Sequence, residues 1–368
     1  MTLRVLTESG TIWRGIGLND AGENVFTLGQ TMPTAENTGV EVGQPLVNHA
    51  LYATPGEVIF DTAGQVIEGI NFGTRRVRVR AANVTIRNCR FVITGLEDDG
   101  EYAVINANNA AVSGLKIEHC DIINTYQGGH KLLGVWGHNF DLYRCKILGT
   151  VDGVRPNIAG NWSIRGCFIS ELGWWAAPSN GIVHGSDVQS HSDCIQTTFG
   201  GGSIVGSSLF AYPSLVVGTG TPTSGSDAGN SSPSGWYTQA QAIARRAELM
   251  GSSWTMASKS YGGVSRENGG VITPLMLNIS TGSTAPSVTV TDSWFAGGTL
   301  QVNALAANLT SPVGVFMRNR HFDDSRYTVA GRAMGYRFRN GLTGTVPQSG
   351  ANRNVFMNDG ATVPLIDA

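Results

Sequence analysis

The sequence predicts an all-β parallel solenoid on three observations: a short phrase that keeps returning, the interval at which it returns, and the absence of helical periodicity between its copies. The phrase is "VTIRNCRF" at 84–91, and it recurs as "LKIEHCDI" (115–122), "FDLYRCKI" (140–147) and "WSIRGCFI" (162–169). A fifth copy, "VTVTDSWF" (288–295), has Ser293 in the cysteine slot, and weaker copies ending at Phe72, Phe210 and Phe322 put Ile70, Ser208 and Arg320 there. The clear copies start 31, 25 and 22 residues apart. That is the length of one supersecondary coil, too short for a domain and too long for a hairpin. Alternation in "VTI" signals a strand, and the changed spacing before the cysteine reads as a bend into a second short strand.

Stacked coils lie ~4.8 Å apart, so Cys89, Cys120, Cys145 and Cys167 would form an interior ladder. A narrow interior suits small apolar thiols. Metal binding is the competing reading, but a linear stack cannot present tetrahedral ligands, and five cysteines without CxxC pairs argue equally against zinc, redox or disulfide frameworks. A second strand set falls between the phrases, at "YAVINA", "LLGVWG", "VDGVRP", "DCIQTT" and "TLQVNA".

In chain order, residues 1–54 lack the repeat and are expected to cap the first coil or attach the protein to something else, because an open solenoid end exposes unpaired strand edges. Residues 55–322 are expected to form the solenoid. Within them 218–275 reads as an insertion: the low-complexity "GTGTPTSGSDAGNSSPSG", then a short α-helix that Thr238 can cap and Gly251 can end, with Ala240, Ile243, Ala244 and Ala247 on one face. Residues 323–368 are expected to be a C-terminal cap.

Composition narrows the partners. Charged residues make up 14% of the chain, the net charge is −2, and no block of like charges appears, which excludes a phosphate-binding field and hence nucleic acid. No apolar run is long enough for a membrane span, and "MTLRVLTESGTIWRG" has no signal-peptide core, so cytoplasmic synthesis without membrane insertion is expected.

The chemistry concentrates in "VDGVR" and "SDCIQ". Aligned on Val154 and Ile195, they set Asp152 over Asp193 and Arg155 over Gln196 on adjacent coils. Stacked carboxylates would approach the ~5 to 5.5 Å spacing of a retaining glycosidase pair, and their repulsion would raise one pKa. The alternative is that each aspartate accepts backbone N–H bonds at a coil turn; Asp152 also shares a strand face with Val154 unless Gly153 bends the chain. Around the pair, "ELGWWAAPSNGIVHGSDVQSH" reads as a long turn supplying Trp174, Trp175, His184 and His191. An exposed tryptophan stacks well on a sugar face, though a subunit contact or a loop anchor would use it equally. His191 is a candidate base. No cofactor is required by any motif; the acidic turn "LEDDGE" offers Asp98 and Asp99 as calcium ligands.

"TMPTAENTGVEVGQPL", "GQVIEGINF", "VRVRAANVTIRNCRF", "HSDCIQTT" and "NVFMNDGATVPL" together resemble the right-handed parallel β-helix proteins of actinobacteria and the minor tail proteins of their phages, within the wider pectate-lyase-like superfamily. The resemblance covers about residues 32 to 365. It implies a right-handed β-helix, a place in the virion tail or tail tip among other tail proteins, contact with host cell-wall glycan as a tail fibre or tailspike does, and assembly as a homotrimer. It also raises two rivals, a polysaccharide hydrolase or lyase and a purely structural tail component. "HSDCIQ" is similar to the "NTDGxD" segment of polygalacturonase-type hydrolases, but the companion "GHG" and "RIK" motifs are missing, which argues against pectin hydrolysis.

Overall fold

A computed structural model describes residues 31–97, 102–126, 132–157, 161–175, 192–197, 201–217, 272–278, 288–298, 300–305, 313–323, 328–329, 332–333, 335–338 and 343–367. Among the described residues three parallel sheets of ten, ten and eight strands stack, and up to the last strand of the eight-stranded sheet the strand order advances by three in each, so each of those coils gives one strand to each sheet. The fold is a right-handed parallel β-helix. Its first coil is β1 (Val47–Asn48) in sheet 1, β2 (Gly56–Phe60) in sheet 2 and β3 (Val66–Glu68) in sheet 3. The repeated phrase spans two sheets: Thr85–Arg87 lies in sheet 3 and Arg90–Ile93 in sheet 1. "YAVINA" and its equivalents make sheet 2.

The bend between sheets 3 and 1 is one residue in the left-handed region. Asn88, His119, Arg144, Asp292 and Arg318 hold φ between 50° and 55° there, and glycine takes the position at 69, 166 and 206. Side chains outside glycine and asparagine are strained in this conformation, so the surrounding stack must enforce it. The next residue belongs to a buried column. Cys89, Cys120, Cys145 and Cys167 are buried and free, and the column continues through Ser207, Ser293, Asn319 and Asn354.

From Cys145 onward each rung of this column donates its backbone N–H to the side chain of the next. Cys145 N–H donates to Cys167 Sγ (3.4 Å), Cys167 to Ser207 Oγ (3.2 Å), Ser207 to Ser293 Oγ (3.2 Å), Ser293 to Asn319 Oδ1 (3.0 Å) and Asn319 to Asn354 Oδ1 (2.9 Å). A buried N–H left unpaired is costly, and the acceptor strengthens along the stack from thiol to hydroxyl to amide. The slot expected at Ser208 and Arg320 therefore lies one residue earlier, at Ser207 and Asn319. Both true copies begin on glycine, Gly202 and Gly314, and end on Leu209 and His321, so a search that ends on an aromatic residue slides by one onto Phe210 and Phe322. Glycine is required at 202: a Cβ would lie 1.9 Å from the Trp162 ring on the neighbouring coil.

Of the expected cap or attachment region, residues 31–46 are described ahead of β1. They run along the outside of sheet 1 against the coil order. Met32 and Ala35 pack on an outer apolar cluster of Leu148, Phe168, Phe210, Trp294, Ala296 and Phe322. Arg144 then donates to Asn37 O (3.1 Å), Val40 N–H to Asp121 Oδ1 (3.2 Å) and Glu41 N–H to Asn88 Oδ1 (3.2 Å), one coil earlier each time. Asp121 is buried between Arg90 and Lys146, each at 3.0 Å. At the far end the coil pattern continues past Phe322, since Tyr336–Phe338, Val355–Phe356 and Leu365–Asp367 extend sheets 2 and 1. Residues 343–345 cover the last strand of sheet 3, with Val313 N–H donating to Thr343 O (2.7 Å) and Phe316 N–H to Thr345 O (2.8 Å). The expected helix at 238–250 lies outside the described residues, and Ile272–Asn278, whose first residues fall within the expected insertion, is a strand of sheet 2. No helix among the described residues is long and apolar enough to cross a membrane.

Candidate functional site

The carboxylate pair forms where sheet 2 bends. Val154 pairs with Ile195, which sets Asp152 beside Asp193 and Arg155 beside Gln196 on adjacent coils. A Cβ on Gly153 would meet Ile169 Cγ2 at 2.4 Å, and one on Gly134 would meet Ile147 Cγ2 at 2.8 Å, so this column faces the interior. Val154 and Ile195 enter the core as well, so the chain turns between the two columns and leaves Asp152 and Asp193 on the far side from the glycine. Both are nevertheless buried, at 2% and 0% exposure.

Asp193 N–H donates to Asp152 Oδ1 at 3.2 Å, and Gly153 N–H to Asp193 O at 2.9 Å. An Arg155 guanidinium nitrogen lies 4.0 Å from Asp152 Oδ2. Among the described residues, neither carboxylate oxygen of Asp193 reaches a hydrogen-bond partner of ordinary geometry. Burial first, and the Asp152 charge second, hold the Asp193 carboxyl well above the usual carboxylate range; Thr273 on the next rung and Arg155 offset this only in part. Burial and the Asp152 charge thus favour the protonated form of the Asp193 carboxyl. Burial keeps both groups from touching a polymer.

Trp174 and Trp175 are not on a turn. Their backbone ends the strand Phe168–Trp175, paired with Val216 and Val217 of Ser208–Val217, past a bulge where Glu171 adopts φ 52°. That strand reaches the carboxylate pair, because Ser192 Oγ donates to Gly173 O at 2.8 Å. Gln196 is half-buried in Ser192–Thr197. His184, His191, Asp98 and Asp99 lie outside the described residues. Among those described, no group of three or more His, Cys, Asp or Glu could hold a metal ion.

A second location is absent from the sequence reading. The outer face of sheet 3 carries a groove of about 860 Å³ across five coils, walled by Lys116, Asn139, Asp141, Ser163, Ser203 and Thr289. Asp141 accepts from Ser163 Oγ and pairs with Arg165 at 2.6 Å, while Arg165 lies 5.3 Å over the Tyr143 ring. Lys116, Asp141, Ser163, Ser203 and Thr289 occupy one register column. It therefore presents one ammonium, one carboxylate and three hydroxyls at the coil spacing. The indole of Trp162 lies in its floor, with Nε1 buried and, among the described residues, without an acceptor. The signal is present as the outward position of each phrase, but no single residue type repeats there.

No protein-family model, no curated protein and no solved structure matches this chain. The parallel β-helix is therefore established by its strand register alone.

Proposed function

We propose that this chain is a phage tail-associated β-helix protein that contacts host cell-envelope polysaccharide, and that the contact surface is the groove on sheet 3. The observation that carries the reading is an open, elongated trough whose polar groups recur from coil to coil, which suits a polymer that presents hydroxyls at regular intervals. Its walls are neutral or singly charged, as binding a glycan by many modest hydrogen bonds requires. The phage setting, with other tail proteins as partners, a trimeric assembly and the virion tail as location, rests on the resemblance of the motifs quoted above.

A hydrolase reading is favoured by one observation, the raised pKa of Asp193 beside Asp152. Their burial favours binding without cleavage. Incubating the protein with actinobacterial cell-wall glycan separates the readings. Co-sedimentation without oligosaccharide release supports the contact role; release that Asp193→Asn abolishes supports the hydrolase; neither binding nor release leaves a structural tail component.

A further inference from the structure

Sheet 2 carries an outward column of its own, separate from the groove on sheet 3. Register sets Arg78, Asn106, Trp136, Arg155 and Gln196 one above another on five successive coils, a span of about 19 Å at the rung spacing. The residues just before them, Val77, Ile105, Val135, Val154 and Ile195, all enter the core, so alternation turns the column outward. All five of its side chains are half-buried. The next two rungs, Met276 and Asn303, are buried, which ends the open stretch at Gln196.

Trp136 stands at the middle of this column. It packs in neither apolar cluster, and among the described residues its indole has no hydrogen-bond or ring partner. The polar groups beside it mostly donate. Arginine and tryptophan side chains have no acceptor atom, and Asn106 Oδ1 already accepts the Asn108 N–H at 3.0 Å, which leaves the Asn106 amide N–H groups facing out. The column itself holds no carboxylate. Glu57 is bound to Arg78 at 2.8 Å, and Asp152, 4.0 Å from Arg155, is buried. A flat aromatic ring among an excess of donors suits a ligand with one apolar face and a group that only accepts.

We propose that this column binds an acidic sugar, a pyranose whose apolar face stacks on Trp136 and whose anionic oxygens, carboxylate or phosphate, accept from Arg155. Asn106 on one side and Gln196 on the other then meet the ring hydroxyls. The site lies on a different sheet from the groove assigned to the envelope polysaccharide and does not depend on that assignment.

Ligand-detected NMR titration of the full chain tests this with glucuronate, glucose-6-phosphate and glucose as probes. At least one anionic probe should bind ten times more tightly than glucose, and whichever of the two binds more tightly identifies the anion as carboxylate or phosphate. Trp136→Ala, a change outside both apolar clusters, should weaken that probe at least tenfold, Trp136→Phe, which keeps a stacking face, should weaken it less, and Ser203→Trp in the sheet 3 groove should leave it unchanged. Equal binding of all three probes, or of none, overturns the proposal. So does unchanged binding by Trp136→Ala, and so does binding that Ser203→Trp removes, which returns the acidic sugar to sheet 3.

Discussion

Asp193 stacks on Asp152 and donates its backbone N–H to the Asp152 carboxylate at 3.2 Å, while its own carboxyl is wholly buried without an ordinary hydrogen bond. A site this unfavourable for charge costs stability whenever it must ionise.

The sign of that cost is testable. Because the folded-state pKa of Asp193 is raised, its contribution is fully present below the unfolded value of 3.8 and is lost as pH rises through the folded value. Every pH unit between the unfolded and folded values is worth about 1.4 kcal/mol. Asp193→Asn removes the titration and should raise the unfolding temperature by several degrees at pH 7, with little difference from the parent chain at pH 4. A lower unfolding temperature at pH 7 would show that the carboxylate is ionised and held by partners.

His321 titrates in the opposite sense. It is fully buried, stacked on Phe295 at 5.0 Å, with Nδ1 2.6 Å from Gln301 Oε1 and Nε2 2.9 Å from the Tyr336 hydroxyl. Gln301 donates its Nε2 to Phe322 O, so its Oε1 is an acceptor, Nδ1 carries the proton and Nε2 accepts from Tyr336. Burial lowers the His321 pKa to about 3, so the stability it contributes is present above 6.5 and lost as pH falls toward 3. By pH 5 the loss is about 2 kcal/mol. Denaturant midpoints at pH 7 and pH 5 should show this drop, and His321→Asn should flatten it.

The column that follows the bend should tolerate chemistry but not emptiness. Ser293→Ala leaves the Ser207 N–H without its 3.2 Å acceptor and should cost about 1 to 3 kcal/mol, whereas Ser293→Cys restores a weaker acceptor and should cost less. All five cysteines are buried, and burial pushes the Cys120, Cys167 and Cys194 thiols up, while hydrogen bonds from neighbouring thiols lower Cys89 and Cys145; with reagent kept out by burial, thiol titration should count almost none in native protein and five in denaturant. Fast native labelling at Cys120 or Cys167 would contradict the column.

Much of this architecture was legible because one buried slot keeps one residue type. Cys89, Cys120, Cys145 and Cys167 mark it directly, and the alignment of Val154 with Ile195 gave the carboxylate pair its register. The burial of that pair was not legible, because it depends on which way Gly153 faces, and a glycine carries no pattern. The placement of Trp174 and Trp175 on a strand was hidden for a related reason: the bulge at Glu171 breaks the alternation that would have announced it. The path of residues 31–46 follows from contacts with Asn88, Asp121 and Arg144, far away in sequence. The groove on sheet 3 stayed invisible because outward positions vary freely from Lys116 to Asp141 to Ser163.

Calorimetric titration of actinobacterial cell-wall oligosaccharide into Ser203→Trp tests the central claim most directly, since Ser203 is half-buried in the groove wall and its replacement fills the trough without touching the core. A glycan seated in the groove should bind Ser203→Trp at least tenfold more weakly than the parent chain, a loss of about 1.4 kcal/mol, while Trp175→Ala, on the strand beside the carboxylate pair, binds as the parent does. Unchanged affinity in a folded Ser203→Trp protein, with binding lost in Trp175→Ala, would contradict it and return the glycan to the Asp152–Asp193 side of the solenoid.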